Sequence, residues 1–134
     1  MDRTKRVRVL KFEPGKNPKT AYLYNNIDIV KKEVSEGAEY LCDELKVLKL
    51  EPRVYAVYNP EAPLMGLKAN RKVENTIIAG TFFIVYSDGN DTICNIPVHI
   101  LDKYGLKYWD AEEYSFKMLG DDFFRHYMDV CVAQ

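Results

Sequence analysis

The sequence is poor in the residues that build metal centres, disulfide frameworks and hydrolytic sites. Two histidines (His99, His126) and three cysteines (Cys42, Cys94, Cys131) are all that 134 residues supply. An odd number of widely spaced cysteines argues against a disulfide framework and for a reducing compartment. Cys94/His99 and His126/Cys131 are each five apart, which invites a Cys2His2 zinc reading. On one helix, however, residues five apart point about 140° away from each other, so no metal is expected. The seven glycines are dispersed and form no phosphate-cradling loop. Adjacent carboxylates (Glu112/Glu113, Asp121/Asp122) diverge on a helix and suit helix starts. Nothing local sets a base or an oxyanion hole beside a cysteine. The residues therefore point to no enzyme and no cofactor.

An excess of one charge is missing as well. The net charge is −1, but residues 1–72 hold 15 Lys/Arg against 10 Asp/Glu, whereas residues 73–134 hold 4 against 10. The basic start (Arg3, Lys5, Arg6, Arg8, Lys11) can meet phosphates or an acidic partner. A solvated edge strand that discourages aggregation is the simpler reading, since nucleic-acid domains are usually basic overall. Long apolar runs are also lacking. None approaches the roughly 20 residues of a membrane span, and MDRTKRVRVLKFEPG lacks the apolar core of a signal peptide. A cytoplasmic protein is expected.

Core-forming side chains are ample, at 47% of the chain. No linker divides it, so residues 1–134 read as one domain. Arg6–Phe12 reads as a strand with both faces partly covered, or with a bulge, ended by Glu13-Pro14-Gly15. Ala21–Tyr24 reads as its partner. Asn25 or Asn26 can cap a helix carrying Ile27, Val30 and Val34, which Gly37 stops. Tyr40–Leu50 is ambiguous between helix and strand, with strand favoured for its second half. Val54–Tyr58 is a strand, and the stretch from Asn59 to Arg71 a structured loop. Thr76–Tyr86, apolar on both faces, reads as the central strand, with Gly80 marking a bulge or a close backbone approach. Asp88-Gly89-Asn90 turns the chain, and Pro97–Tyr104 forms a short helix closed by Gly105. Ala111–Leu119 and Asp122–Val130 resemble two further helices. The class is α+β: a small mixed, mainly antiparallel sheet with helices on one face and a helical C-terminal extension.

Ten tyrosines supply large contact area at low entropic cost. Tyr55, Tyr58 and Asn59 adjoin the proline-containing loop, and Tyr104, Tyr108 and Trp109 cluster further on. Lys68, Asn70, Arg71 and Lys72 add amide and cationic donors that can hold a carboxylate, a phosphate or a base edge. The plain alternative is that Asn70 caps the loop and Arg71 pairs with a nearby acid.

VLKFEPGKNP, a helix ending near Gly37, VYAVYNPEAPLMGLKANR and IIAGTFFIVYSDG together resemble the domain-of-unknown-function family 3846. The resemblance spans Val7 to Tyr108. It rests on Glu13-Pro14-Gly15-Lys16, on the Gly66-Leu67…Asn70-Arg71 loop and on Gly80-Thr81. The sequence departs from the pattern at Lys68-Ala69, where a proline is usual. It is also longer between Gly37 and Val47, and adds residues 109–134. The resemblance implies an accessory protein of a phage or mobile element acting on host machinery or host defence, with no catalytic residues. The expectation is thus a non-catalytic binder of a host protein or of a nucleotide-type signal, using Tyr55, Tyr58, Asn59, Lys68, Asn70, Arg71 and Lys72. In the nucleotide case Arg71, Lys68 and Lys72 would meet phosphate while Tyr55 or Tyr58 stacks on the base. A nucleic-acid-binding regulator using the basic first strand is the alternative, and a small enzyme a third. Homo-oligomerisation through the acidic, aromatic C-terminal stretch stays open, although such a stretch more commonly packs on the sheet.

Overall fold

The computed structural model describes residues 5–89 and 92–111. Strands β1 (Arg6–Phe12), β2 (Lys19–Tyr24), β3 (Lys46–Glu51), β4 (Val54–Tyr58), β7 (Phe82–Ser87) and β8 (Ile93–Cys94) form one antiparallel sheet. Its order is β2-β1-β7-β4-β3, with β8 pairing the end of β7 that β1 leaves free. Strands β5 (Ala69–Val73) and β6 (Thr76–Ala79) form a separate hairpin. The α+β class expected from the sequence is the class observed.

Central strand β7 is buried from Phe82 to Val85, so apolar residues fill both its faces. Leu10, Phe12, Val54, Ala56, Tyr58, Phe82 and Ile84 form one core, in which the Phe12 and Phe82 rings stack at 4.6 Å. Val7, Val9, Leu23, Val57, Phe83 and Val85 form the other. This is the strict alternation of strands covered on both sides, and β1 needs no bulge to explain its pattern. Burying each of the larger side chains stabilises the fold by roughly 1.5–3 kcal/mol.

Helix α1 (Ile27–Val34) starts where Asn26 Oδ1 accepts from the backbone N–H of Asp28 at 2.9 Å and of Ile29 at 3.3 Å. It lays Val30 and Val34 on the second core. Helix α2 (Val98–Lys107) lays Ile100 and Tyr104 on the first core, together with Val73 and Ile78 of the hairpin. The helices therefore cover opposite faces of the sheet, not one face as the sequence suggested. Each face has its own apolar surplus and takes its own helix.

Four local expectations change. The loop expected from Asn59 to Arg71 ends earlier, because Ala69–Val73 forms β5 and pairs with β6. Thr76–Tyr86 is two strands, because Gly80 adopts φ +71° and turns the chain from hairpin to sheet. A Cβ there would lie 3.0 Å from Leu67 Cδ1, and the Gly80 N–H donates to Lys68 O at 2.8 Å. Helix α2 runs through Gly105 to Lys107, since the packing of Tyr104 and Tyr108 carries it past the glycine. Strand β1, expected as an edge, lies between β2 and β7. The two C-terminal helices expected over 111–119 and 122–130 lie, apart from Ala111, outside the described residues. Among the described residues no helix is long and apolar enough to cross a membrane.

Gly80→Ala combines a left-handed backbone with a crowded Cβ. It should lower unfolding stability by about 1–3 kcal/mol, read as a reduced urea midpoint with an unchanged slope.

Candidate functional site

The seven residues expected to form a binding site do not come together. Tyr55 and Tyr58 share β4 but face opposite sides of the sheet, Tyr55 half-buried and Tyr58 buried. Burial raises the Tyr58 hydroxyl pKa. Asn59 is buried and shapes its own loop: its Oδ1 accepts from the Glu61 N–H at 2.9 Å and its Nδ2 lies 3.2 Å from Met65 Sδ. Lys68 and Lys72 are exposed on either side of a buried pair, Asn70 and Arg71.

That pair is framework. Asn70 Nδ2 donates to Phe12 O at 3.0 Å and Gly80 O at 2.8 Å. Arg71 is 1% exposed. Its Nε donates to Tyr108 O at 2.9 Å, and its Nη2 donates to Lys16 O at 2.7 Å and Trp109 O at 3.3 Å. Its Nη1 donates to Asn70 Oδ1, and its guanidinium lies 5.4 Å from the centre of the Phe12 ring. A cation facing the carbonyl end of α2 also complements the helix dipole. The geometry overturns the expectation that Asn70 and Arg71 face a ligand: these donors are turned inward.

The chain segments that meet here are the turn after β1, the start of β5 and Gly80, with Tyr108 closing the group. These are the segments on which the family resemblance rests. The model of the family described as Domain of unknown function (DUF3846) matches residues 7–108. The chain belongs to this family. Its matched region ends at Tyr108, where Arg71 holds the end of α2. No curated protein and no solved structure matches the chain.

The β2 edge of this DUF3846 domain exposes two tyrosines, Tyr22 and Tyr24. A groove of about 850 Å³ runs between that strand, α1 and residues 36–41. Tyr22 (61% exposed), Tyr24 and Tyr40 (59% exposed) border it. So do three cations, Arg6, Lys11 and Lys32, and three carboxylates, Glu33, Glu36 and Glu39. Lys11 pairs with Glu33 at 3.4 Å, and the Arg6 guanidinium sits 5.9 Å from the Tyr24 ring centre. Nothing in the sequence reading singled out this strip. Its signal was the Tyr22/Tyr24 alternation on a short strand, which becomes informative only once the strand is known to be an edge. A second, apolar cleft of about 390 Å³ lies between α1 and the β3–β4–β7 surface, lined by Ile27, Val30, Val47, Tyr55, Val57 and Val85.

The remaining ionisable groups act as ties. Lys19 hydrogen-bonds Glu13 at 2.7 Å, strapping the turn to β2 and lowering the Glu13 pKa. Lys103 at 2.8 Å and the Tyr104 hydroxyl at 2.6 Å both donate to Glu51, holding its carboxyl below its ordinary range. Burial and that same carboxylate raise the Tyr104 hydroxyl. Cys42 is buried on the α1 side, whereas His99 is exposed on α2 and Cys94 half-buried in β8. His126 and Cys131 lie outside the described residues.

Two outcomes follow. Arg71→Lys keeps the charge but cannot reach the same fan of carbonyls, and should cost about 3 kcal/mol in urea unfolding. Because Glu13 and Glu51 have lowered folded pKa values, their stabilisation is present above the unfolded carboxylate pKa. It is lost as pH falls through the folded values. The melting temperature should hold from pH 7 to about 5 and fall below about pH 4, with a shallower fall in the Glu13→Gln, Glu51→Gln double variant.

Proposed function

We propose that this chain is a non-catalytic binding protein whose partner is another protein, taken up along β2. The observation that carries the reading is the β2 border itself. Exposed tyrosines border an open groove, Tyr22 and Tyr24 at its β2 rim and Tyr40 across from them, and its three cations are balanced by three carboxylates. Tyrosine offers contact area at low conformational cost. A charge-balanced rim gives no field to gather a polyanion but can match the mixed charges of a protein surface. In the setting that the family resemblance implies, an accessory protein of a phage or mobile element, the partner belongs to the host and to its machinery or defence.

Two earlier alternatives have less support. A captured nucleotide would need free cationic donors, yet the donors expected of Asn70 and Arg71 are directed at backbone carbonyls. A nucleic-acid regulator would need the basic first strand to offer its charges. Arg8 instead donates its Nε and Nη2 to Ile96 O, and Lys11 pairs with Glu33.

Tyr22→Ser combined with Tyr40→Ser removes two exposed rings and should leave the melting temperature within about a degree or two. In affinity capture from lysate of the host cell, the proteins held by wild type should be lost from this variant. An identical set retained by both would overturn the assignment of the site. A discrete added mass in native mass spectrometry after incubation with a small-molecule extract, released on denaturation, would transfer the reading to a small ligand.

A further inference from the structure

We infer that the β2 edge takes its partner as an added β-strand: an extended peptide segment, uncharged at its centre and apolar at alternate positions. The inference rests on the reading of β2 as the binding surface and specifies how that surface works. The two edges of the sheet differ in the way that matters for strand addition. At the β3 edge Lys46 and Lys49 are exposed and the register is interrupted between Lys49 and Glu51, devices that discourage pairing. At the β2 edge the register runs unbroken from Lys19 to Tyr24 against β1 alone, and Thr20–Tyr24 carries no charge and no proline. Among the described residues, no backbone hydrogen bond reaches the outer side of β2 from Lys19 to Leu23. An edge strand left so is a template for another strand.

The surroundings fit that occupant. Five or six residues of β2 accommodate an extended segment of about 20 Å. On one face of the sheet Tyr22 and Tyr24 project from β2, where cross-strand aromatic or β-branched partners pack well. On the other, the groove toward α1 and residues 36–41 gives alternate side chains room. Its rim of three cations and three carboxylates suits flanking charges of either sign, and the strand between them suits none. A polyanion fits neither feature.

The test uses a random 12-residue peptide library displayed on phage and selected on the full chain. Synthetic versions of the enriched peptides are then measured by fluorescence polarisation and by residue-resolved amide exchange. Enriched peptides should alternate apolar residues around an uncharged centre and bind in the micromolar range. They should slow exchange at least tenfold at alternate amides within Thr20–Tyr24. Tyr22→Lys, which restores an edge charge, should weaken them at least tenfold with the fold intact by circular dichroism. Peptides that lose affinity in Tyr40→Ser but leave β2 exchange unchanged would overturn strand addition while the groove remains the binding surface. Absence of any enriched peptide would overturn both. Concentration-dependent dimerisation in sedimentation velocity, abolished by Tyr22→Lys, would overturn a foreign partner in favour of a second copy of this chain.

Discussion

The guanidinium of Arg71, with the amide of Asn70 beside it, fixes by directed bonds how β1, the hairpin and α2, which share one apolar core, sit against one another. Through backbone carbonyls it ties the turn after β1 to the end of α2, while Asn70 ties β1 to the point where the chain leaves the hairpin. Burying a charge is costly unless its donors are satisfied. Here carbonyls of Lys16, Tyr108 and Trp109, with the Asn70 side chain, receive it, and the Phe12 ring lies against it. Removing the arginine would remove all of these contacts at once. The cluster is stable only when complete, which makes it a good device for fixing one arrangement of hairpin, sheet and helix.

Its position gives the two faces of the sheet different characters. On the α2 side the hairpin and helix seal the first core, and Lys103 and Tyr104 tie the C-terminal half of α2 to Glu51 of β3. On the other side α1 is only 8 residues long and covers part of the face. The groove beside β2 and the cleft near Tyr55 occupy what it leaves. Rigid wiring and open surface are thus separated, as binding sites set on a fixed framework require.

Much of this arrangement could be read from local pattern. Strand β1, the Asn26 cap, strands β3 and β4 and the role of Gly80 as a close approach all follow from short-range chemistry, and the structure bears them out. What local pattern could not supply is the partner at long range. Asn70 and Arg71 carry the donors of a ligand site or of an internal clasp, and residues 10 to 58 positions away decide which. Gly80 was legible as special, but its positive φ, which splits one apolar run into two strands, depends on Leu67 and the hairpin around it. Tyr22 and Tyr24 were legible as a short strand. Their standing as an edge depends on strand order, which alternation along one strand does not encode.

The most specific motif residues of the DUF3846 pattern are therefore largely consumed by internal wiring. Asn70, Arg71 and Gly80 are buried and meet one another and the backbone carbonyl of Lys16, while Glu13 is taken up by Lys19. The groove is built from other material: the outer side of β2, the surface of α1 and the stretch from Glu36 to Leu41. In this chain the Asn-Arg clasp that fixes the scaffold and the surface proposed to bind are therefore built from different residues, and a scaffold by itself names no partner. On the reading proposed for this chain, binding is to be sought at the β2 rim of the sheet, where backbone and tyrosine are offered outward, and not at Asn70 and Arg71, whose donors are already taken by the fold.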